Sequence, residues 1–139
     1  MPICRCSAQT SKSLKEFYTE VSSEDNSGVG GQQMLILIDM IDQLFVETAL
    51  WGLTSHYDLV ILPKDDWKSD WYVKVLASSF GEYRFEYLLP ENKRPWKNAV
   101  VIGVATNLAE AKKYLLIAML ESEGWQGNTE LKKLAEQYI

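Results

Sequence analysis

The sequence predicts an α+β domain, a four-stranded antiparallel meander with two apolar helices laid across one face. Three observations carry this. Residues 34–51 are apolar almost all the way round a helix. Between 57 and 105 lie four short runs of strand-forming residues, about 57–62, 71–77, 83–89 and 99–105, separated by turn and loop residues. A second broadly apolar helical pattern, 107–123, follows the last run. The strand connections are short, which makes neighbours antiparallel. A sheet with one face to cover then takes its cover from the two greasy helices.

Residues 1–12 are small and polar and are expected to be disordered. At 13–21, Ser13 with Glu16 makes a capping box, and Leu14, Phe17, Tyr18 and Val21 form one apolar stripe. Residues 22–33 have the composition of a flexible linker. The chain therefore divides into a flexible N-terminal segment, 1–33, carrying one short helix, and a single α+β domain, 34–139.

The long helix is broken only by Asp39, Asp42, Gln43 and Glu47, which recur at the spacing of one face and make a narrow polar stripe. Gly52 is a suitable left-handed stop. The first strand ends at Pro63. The second alternates, with Trp71, Val73, Val75 and Ala77 on one side and Tyr72, Lys74 and Leu76 on the other. Residues 78–82, with Gly81, connect it to the third strand, where Tyr83, Phe85, Tyr87 and Leu89 face away from Arg84, Glu86 and Leu88. Pro90 stops that strand. Residues 99–105 are apolar throughout, a pattern that suits a strand covered on both faces or partly by a partner. Asn107 and Glu110 cap the next helix, with Leu108, Ala111, Leu115, Ala118 and Met119 inward and Gly124 as its end. Tyr114, Leu116, Ile117 and Leu120 widen its apolar surface. Asn128 opens a last helix with Leu131, Leu134, Ala135 and Tyr138 on one side.

A length of 139 residues points to one domain with a real core. The net charge of −5 argues against a general grip on nucleic acid or on an anionic membrane, since both depend on Lys and Arg. It favours a basic protein partner. Cys4 and Cys6 are too close in sequence for an unstrained disulfide, and a single histidine cannot complete a zinc site with them. They read as reduced thiols on a frayed end. No secretory signal opens the sequence, and the charges at Asp39, Asp42 and Glu47 argue against a membrane span. A cytoplasmic protein is expected.

Few residues of the sequence point to chemistry. Gly28, Gly30 and Gly31 superficially resemble a phosphate loop, but no strand precedes them and no Lys-Ser or Lys-Thr follows, so they read as linker. His56 and Asp58 would share a strand face and are the weak candidates for acid–base catalysis. Asp39 and Asp42 sit three apart on a helix, and a solvated face accounts for them better than a metal pair. No metal site and no cofactor is indicated.

Two loops stand out. The stretch 64–71 sets Asp65, Asp66 and Asp70 around Trp67, an aromatic with little reason to sit in a loop unless it folds back or meets a partner. The stretch 91–97 sets Lys93, Arg94 and Lys97 around Trp96, a weak candidate for single-stranded nucleic acid. The helices also carry more apolar surface than one sheet face absorbs, which suggests a homodimer through them. In size and charge alone, the chain resembles bacterial immunity proteins, antitoxins and secretion chaperones. The leading expectation is a small acidic protein-binding domain (an inhibitor, immunity-like or adaptor protein) docking through Asp65, Asp66, Trp67 and Asp70. The alternatives are a small hydrolase or isomerase built on His56 and Asp58, and nucleic-acid binding through 93–97.

Overall fold

A computed structural model describes residues 2–23 and 29–139. Helix α1 (Leu14–Ser23) begins at the capping box: Ser13 Oγ accepts the Glu16 N–H at 3.1 Å, and Glu16 Oε1 accepts the Ser13 N–H at 3.2 Å. Two orphan donors are thereby satisfied. Its Leu14, Tyr18 and Val21 are buried in the same core as Leu59, Val75 and Met119 of the main body. Burying each aliphatic side chain is worth roughly 1.5–3 kcal/mol, which favours a docked helix.

Helix α2 (Gly31–Leu44) packs against α1 and β4, with Met34, Leu37, Ile38, Met40 and Ile41 buried. It is shorter than the expected 34–51. Phe45 caps it, its N–H bonded to the Ile41 carbonyl at 3.0 Å. Glu47 therefore falls in a loop. Trp51–Ser55 is a strand, β2, pairing antiparallel with β3 (Asp58–Leu62) from Trp51↔Leu62 to Ser55↔Asp58. Apolar composition alone cannot separate the end of a buried helix from a buried strand. Here pairing with β3 decides, since β3 is buried at four of its five residues and its backbone needs partners on both sides. Gly52 does not cap the helix. It sits in β2 beneath α1, where an added Cβ would lie 2.5 Å from Leu14 Cδ1.

The sheet has six strands in the order β1-β2-β3-β4-β5-β6, with β4 at Val73–Ala77, β5 at Tyr83–Leu88 and β6 at Val100–Ala105. The four expected strands are present as consecutive antiparallel neighbours. The four-strand count is corrected by β2 and by β1 (Cys4–Arg5), which runs parallel to β2. The described part of that segment, residues 2–12, thus does not form a loose end: β1 is paired and Ile3 and Cys6 are buried. The expected linker is likewise corrected in part. Residues 24–28 lie outside the described residues, but Val29 bridges Ser78 and the Gly30 N–H bonds the Ala77 carbonyl at 3.0 Å. A Cβ on Gly30 would lie 2.7 Å from the Ser78 carbonyl carbon, and one on Gly31 would lie 2.5 Å from the Ser22 nitrogen. These two glycines let the start of α2 touch both the end of β4 and the end of α1.

Helix α3 (Leu108–Glu121) covers β4, β5 and β6, and α4 (Thr129–Tyr138) packs on α3. Asn107 and Asn128 cap them, each accepting an N–H, from Glu110 and Leu131, at 2.8 Å. Gly124 is not the left-handed residue after α3; Glu123 is, with φ 63°. Gly124 is needed because a Cβ there would lie 2.8 Å from Trp71 Cβ. The far face of the sheet carries a small cluster of Cys6, Val60 and Leu62 flanked by Trp51, Leu53 and Tyr72. Beyond it Glu86 forms ion pairs with Lys74 at 3.4 Å and with Arg84 at 3.6 Å. Among the described residues nothing supplies the expected two-sided cover of 99–105, since Val100, Ile102 and Val104 are exposed on that face. Among the described residues no helix is long and apolar enough to cross a membrane.

Gly30→Ala should lower unfolding free energy by about 1–3 kcal/mol in urea titration, while Ser79→Ala on the exposed turn changes it by less than about 0.5 kcal/mol. Glu130 ties α4 to the loop after α2 by accepting the Val46 and Glu47 N–H groups, both at 3.0 Å. Burial pushes its carboxyl up, but hydrogen bonds from Thr48, Glu47 and Val46 outweigh that and hold it below the ordinary value. A depressed folded-state pKa gives stability that is present above the unfolded value and lost as pH falls through the folded one. Glu130→Gln should therefore be less stable at neutral pH and show a shallower loss of stability on acidification, read by thermal unfolding across pH.

Candidate functional site

Successive antiparallel strands put alternate connections at opposite ends of a sheet. The β3–β4 loop (63–72) and the β5–β6 loop (89–99) therefore share one end, and α3 runs back to deliver the α3–α4 corner (122–128) beside them. The three segments enclose a cleft of about 290 Å³ lined by Asp70, Trp71, Leu89, Glu91, Asn92, Arg94, Ser122 and Glu123, among others. Three carboxylates and one guanidinium give its lining a net negative formal charge. The one cation is committed, since Arg94 Nε donates to the Leu89 carbonyl at 2.7 Å. On the rim Lys93 pairs with Glu123 at 3.3 Å.

The expected binding residues separate into two groups. Asp65 lies away from the cleft and accepts the Ser7 N–H at 2.8 Å and the Cys6 thiol at 3.1 Å. Those bonds, the Ser7 N–H foremost, hold its carboxyl below the ordinary value. Asp66 accepts the Lys68 N–H at 3.0 Å and shapes its own loop. Asp70 lines the cleft, and Trp67 is 58% exposed with Lys68 Nζ 5.2 Å above its ring. The sequence placed Trp71 in the second strand on the side of Val73, Val75 and Ala77, but β4 starts at Val73 and leaves Trp71 exposed over Gly124. Glu91 and Glu123 were also missed as site residues. Only the charge at each position was visible, because the corner that brings them together is tertiary.

The basic loop is thinned as a nucleic-acid site because Lys93 and Arg94 are engaged within the chain, while Trp96 at 72% exposure and Lys97 are open. His56 occupies the tip of the two-residue β2–β3 turn, exposed, with φ 55°. Asp58 is half-buried, and neither residue lines the loop-end cleft. Asp39 and Asp42 serve docking: Lys15 Nζ lies 3.1 and 3.7 Å from them, and Asp42 accepts the Ile3 N–H at 2.7 Å. Among the described residues no group of three His, Cys, Asp or Glu side chains is placed to hold a metal ion.

Both cysteines are free, Cys4 exposed and Cys6 buried. Burial first, then Asp65, pushes the Cys6 thiol up and away from the reactive thiolate. A thiol reagent should label Cys4 rapidly and Cys6 only on unfolding. Asp65→Ala should speed Cys6 labelling by about tenfold or more by releasing the N-terminal strand. Comparison with protein-family models, with curated proteins and with solved structures gave no match.

Proposed function

We propose that this chain is a non-catalytic binding domain, an inhibitor, immunity-like or adaptor protein, that takes a basic protein partner at the loop end of its sheet. The observation that carries this reading is the acidic cleft of Asp70, Glu91 and Glu123 against Trp71, with Trp67 and Trp96 exposed on the two loops that form it. Exposed tryptophans are costly to leave in water and gain most from being covered, because they bury large areas with few rotatable bonds. The carboxylates steer a cationic surface toward the cleft, and the rings anchor it once there. Compared with the residues expected from sequence, Asp70 and Trp67 stay in the site with Asp66 beside them. Asp65 instead holds the loop. The reading also places the protein in the cytoplasm of a bacterial cell, where two free thiols stay reduced.

Trp67→Ala and Trp96→Ala remove exposed rings and should leave the fold intact by circular dichroism. Each should weaken a partner recovered by pull-down by about 2 kcal/mol, roughly thirtyfold. Asp70→Lys should slow association and flatten its salt dependence in stopped-flow mixing. Unchanged affinity and association rate across all three variants would show that the partner docks elsewhere.

A further inference from the structure

The two edges of the sheet are unlike. At one, β1 is only two residues long, a short strand that offers little to pair with. At the other, β6 pairs among the described residues with β5 alone, in an unbroken register from Tyr83↔Ala105 to Leu88↔Val100. Its residues 99–105 contain no charge and no proline, so none of the usual devices blocks a further strand. The Leu89 N–H bonds the Ala99 carbonyl at 3.0 Å, which marks that facing pair as hydrogen-bonded. Such pairs alternate along an antiparallel ladder, so Val101, Gly103 and Ala105 bond to β5. Val100, Ile102 and Val104 then turn their N–H and C=O groups to the open edge. The same three side chains are 41%, 50% and 46% exposed on the uncovered face. On the helix side of this edge lies an apolar cleft of about 230 Å³ lined by Tyr87, Val101, Gly103, Tyr114 and Ile117. Both faces of the position next to β6 are thus apolar and, among the described residues, uncovered.

We propose that β6 is a dimerisation edge, at which two copies of the chain pair their β6 strands antiparallel about a two-fold axis at Ile102. A second copy fits because the strand is its own complement under that axis. Ile102 faces Ile102, Val100 faces Val104 of the other copy, and the outward groups of those three residues meet in six backbone hydrogen bonds. No charge meets its like. β-Branched residues line up across the junction, a favourable cross-strand arrangement. The result is one continuous sheet with six strands from each copy. A six-residue strand is about 20 Å long. With the helix layer behind it the contact is small, near the lower end for specific interfaces, so the dimer should form in the micromolar range. This differs from a dimer built on the apolar faces of α2 and α3. It is also independent of the loop-end partner, because β6 lies outside that cleft.

Sedimentation velocity over about 1–200 µM should show a reversible monomer–dimer equilibrium. Amide exchange should slow with concentration at Val100, Ile102 and Val104. Val100→Lys and Val104→Glu should each weaken the dimer by about tenfold or more with melting temperature nearly unchanged, since both side chains face solvent in the monomer. The double variant Val100→Lys/Val104→Glu sets opposite charges across the two-fold register and should recover most of the loss. A monomer at every concentration, exchange protection confined to α2 or α3, or a double variant as weak as the single ones would overturn the proposal. So would pairing of a foreign strand at β6 in a chain that never self-associates.

Discussion

The structure depends on the burial of α2 on two sides. Its apolar surface is wider than one sheet face can absorb, and an uncovered remainder would sit in water at a cost of about 25 cal/mol per Å². Helix α1 supplies the second wall through Leu14, Tyr18 and Val21. The close approach needs residues without side chains, and Gly30 and Gly31 provide it. The N-terminal end follows. The Ile3 N–H is held by Asp42, Arg5 donates to Thr54 and Gln9, and Asp65 takes the Ser7 N–H. What reads as a loose arm is thereby fastened at several polar points around one apolar contact.

Polar groups that look functional on paper turn out to fasten the fold. Asp42 holds β1's approach, Asp65 holds Cys6 and Ser7, and Glu130 caps the end of the α2 loop. A carboxylate with backbone N–H partners is already satisfied and has less to offer a ligand. The groups left over are carboxylates and tryptophans at the loop end, and β-branched side chains at the β6 edge. The first suit electrostatic steering and aromatic anchoring. The second suit strand pairing. The two surfaces use different physics and occupy different parts of the sheet.

Glycine shows why local readings go astray. Gly52 and Gly124 both looked like left-handed helix stops, yet neither has a positive φ. Each is small because something lies against it, Leu14 in one case and Trp71 in the other. The residue that does adopt the left-handed conformation after α3 is Glu123, where flanking turn geometry overrides preference.

The sequence by itself determined the α+β class, the antiparallel order of β3 to β6, and the helix starts at Ser13, Asn107 and Asn128. Alternation, turn residues and capping chemistry are local and survive without tertiary context. It also marked the two loops by their tryptophans and charges. Only the tertiary structure decided that α2 ends at Leu44 and that Trp51–Ser55 is a strand, because an apolar run suits either state until β3 offers a partner. Only the fold brought Glu123 to Asp70 and Trp71 and, among the described residues, left one edge of β6 open. Those facts depend on which segments lie side by side, and long-range pairing leaves no periodicity in the chain to read.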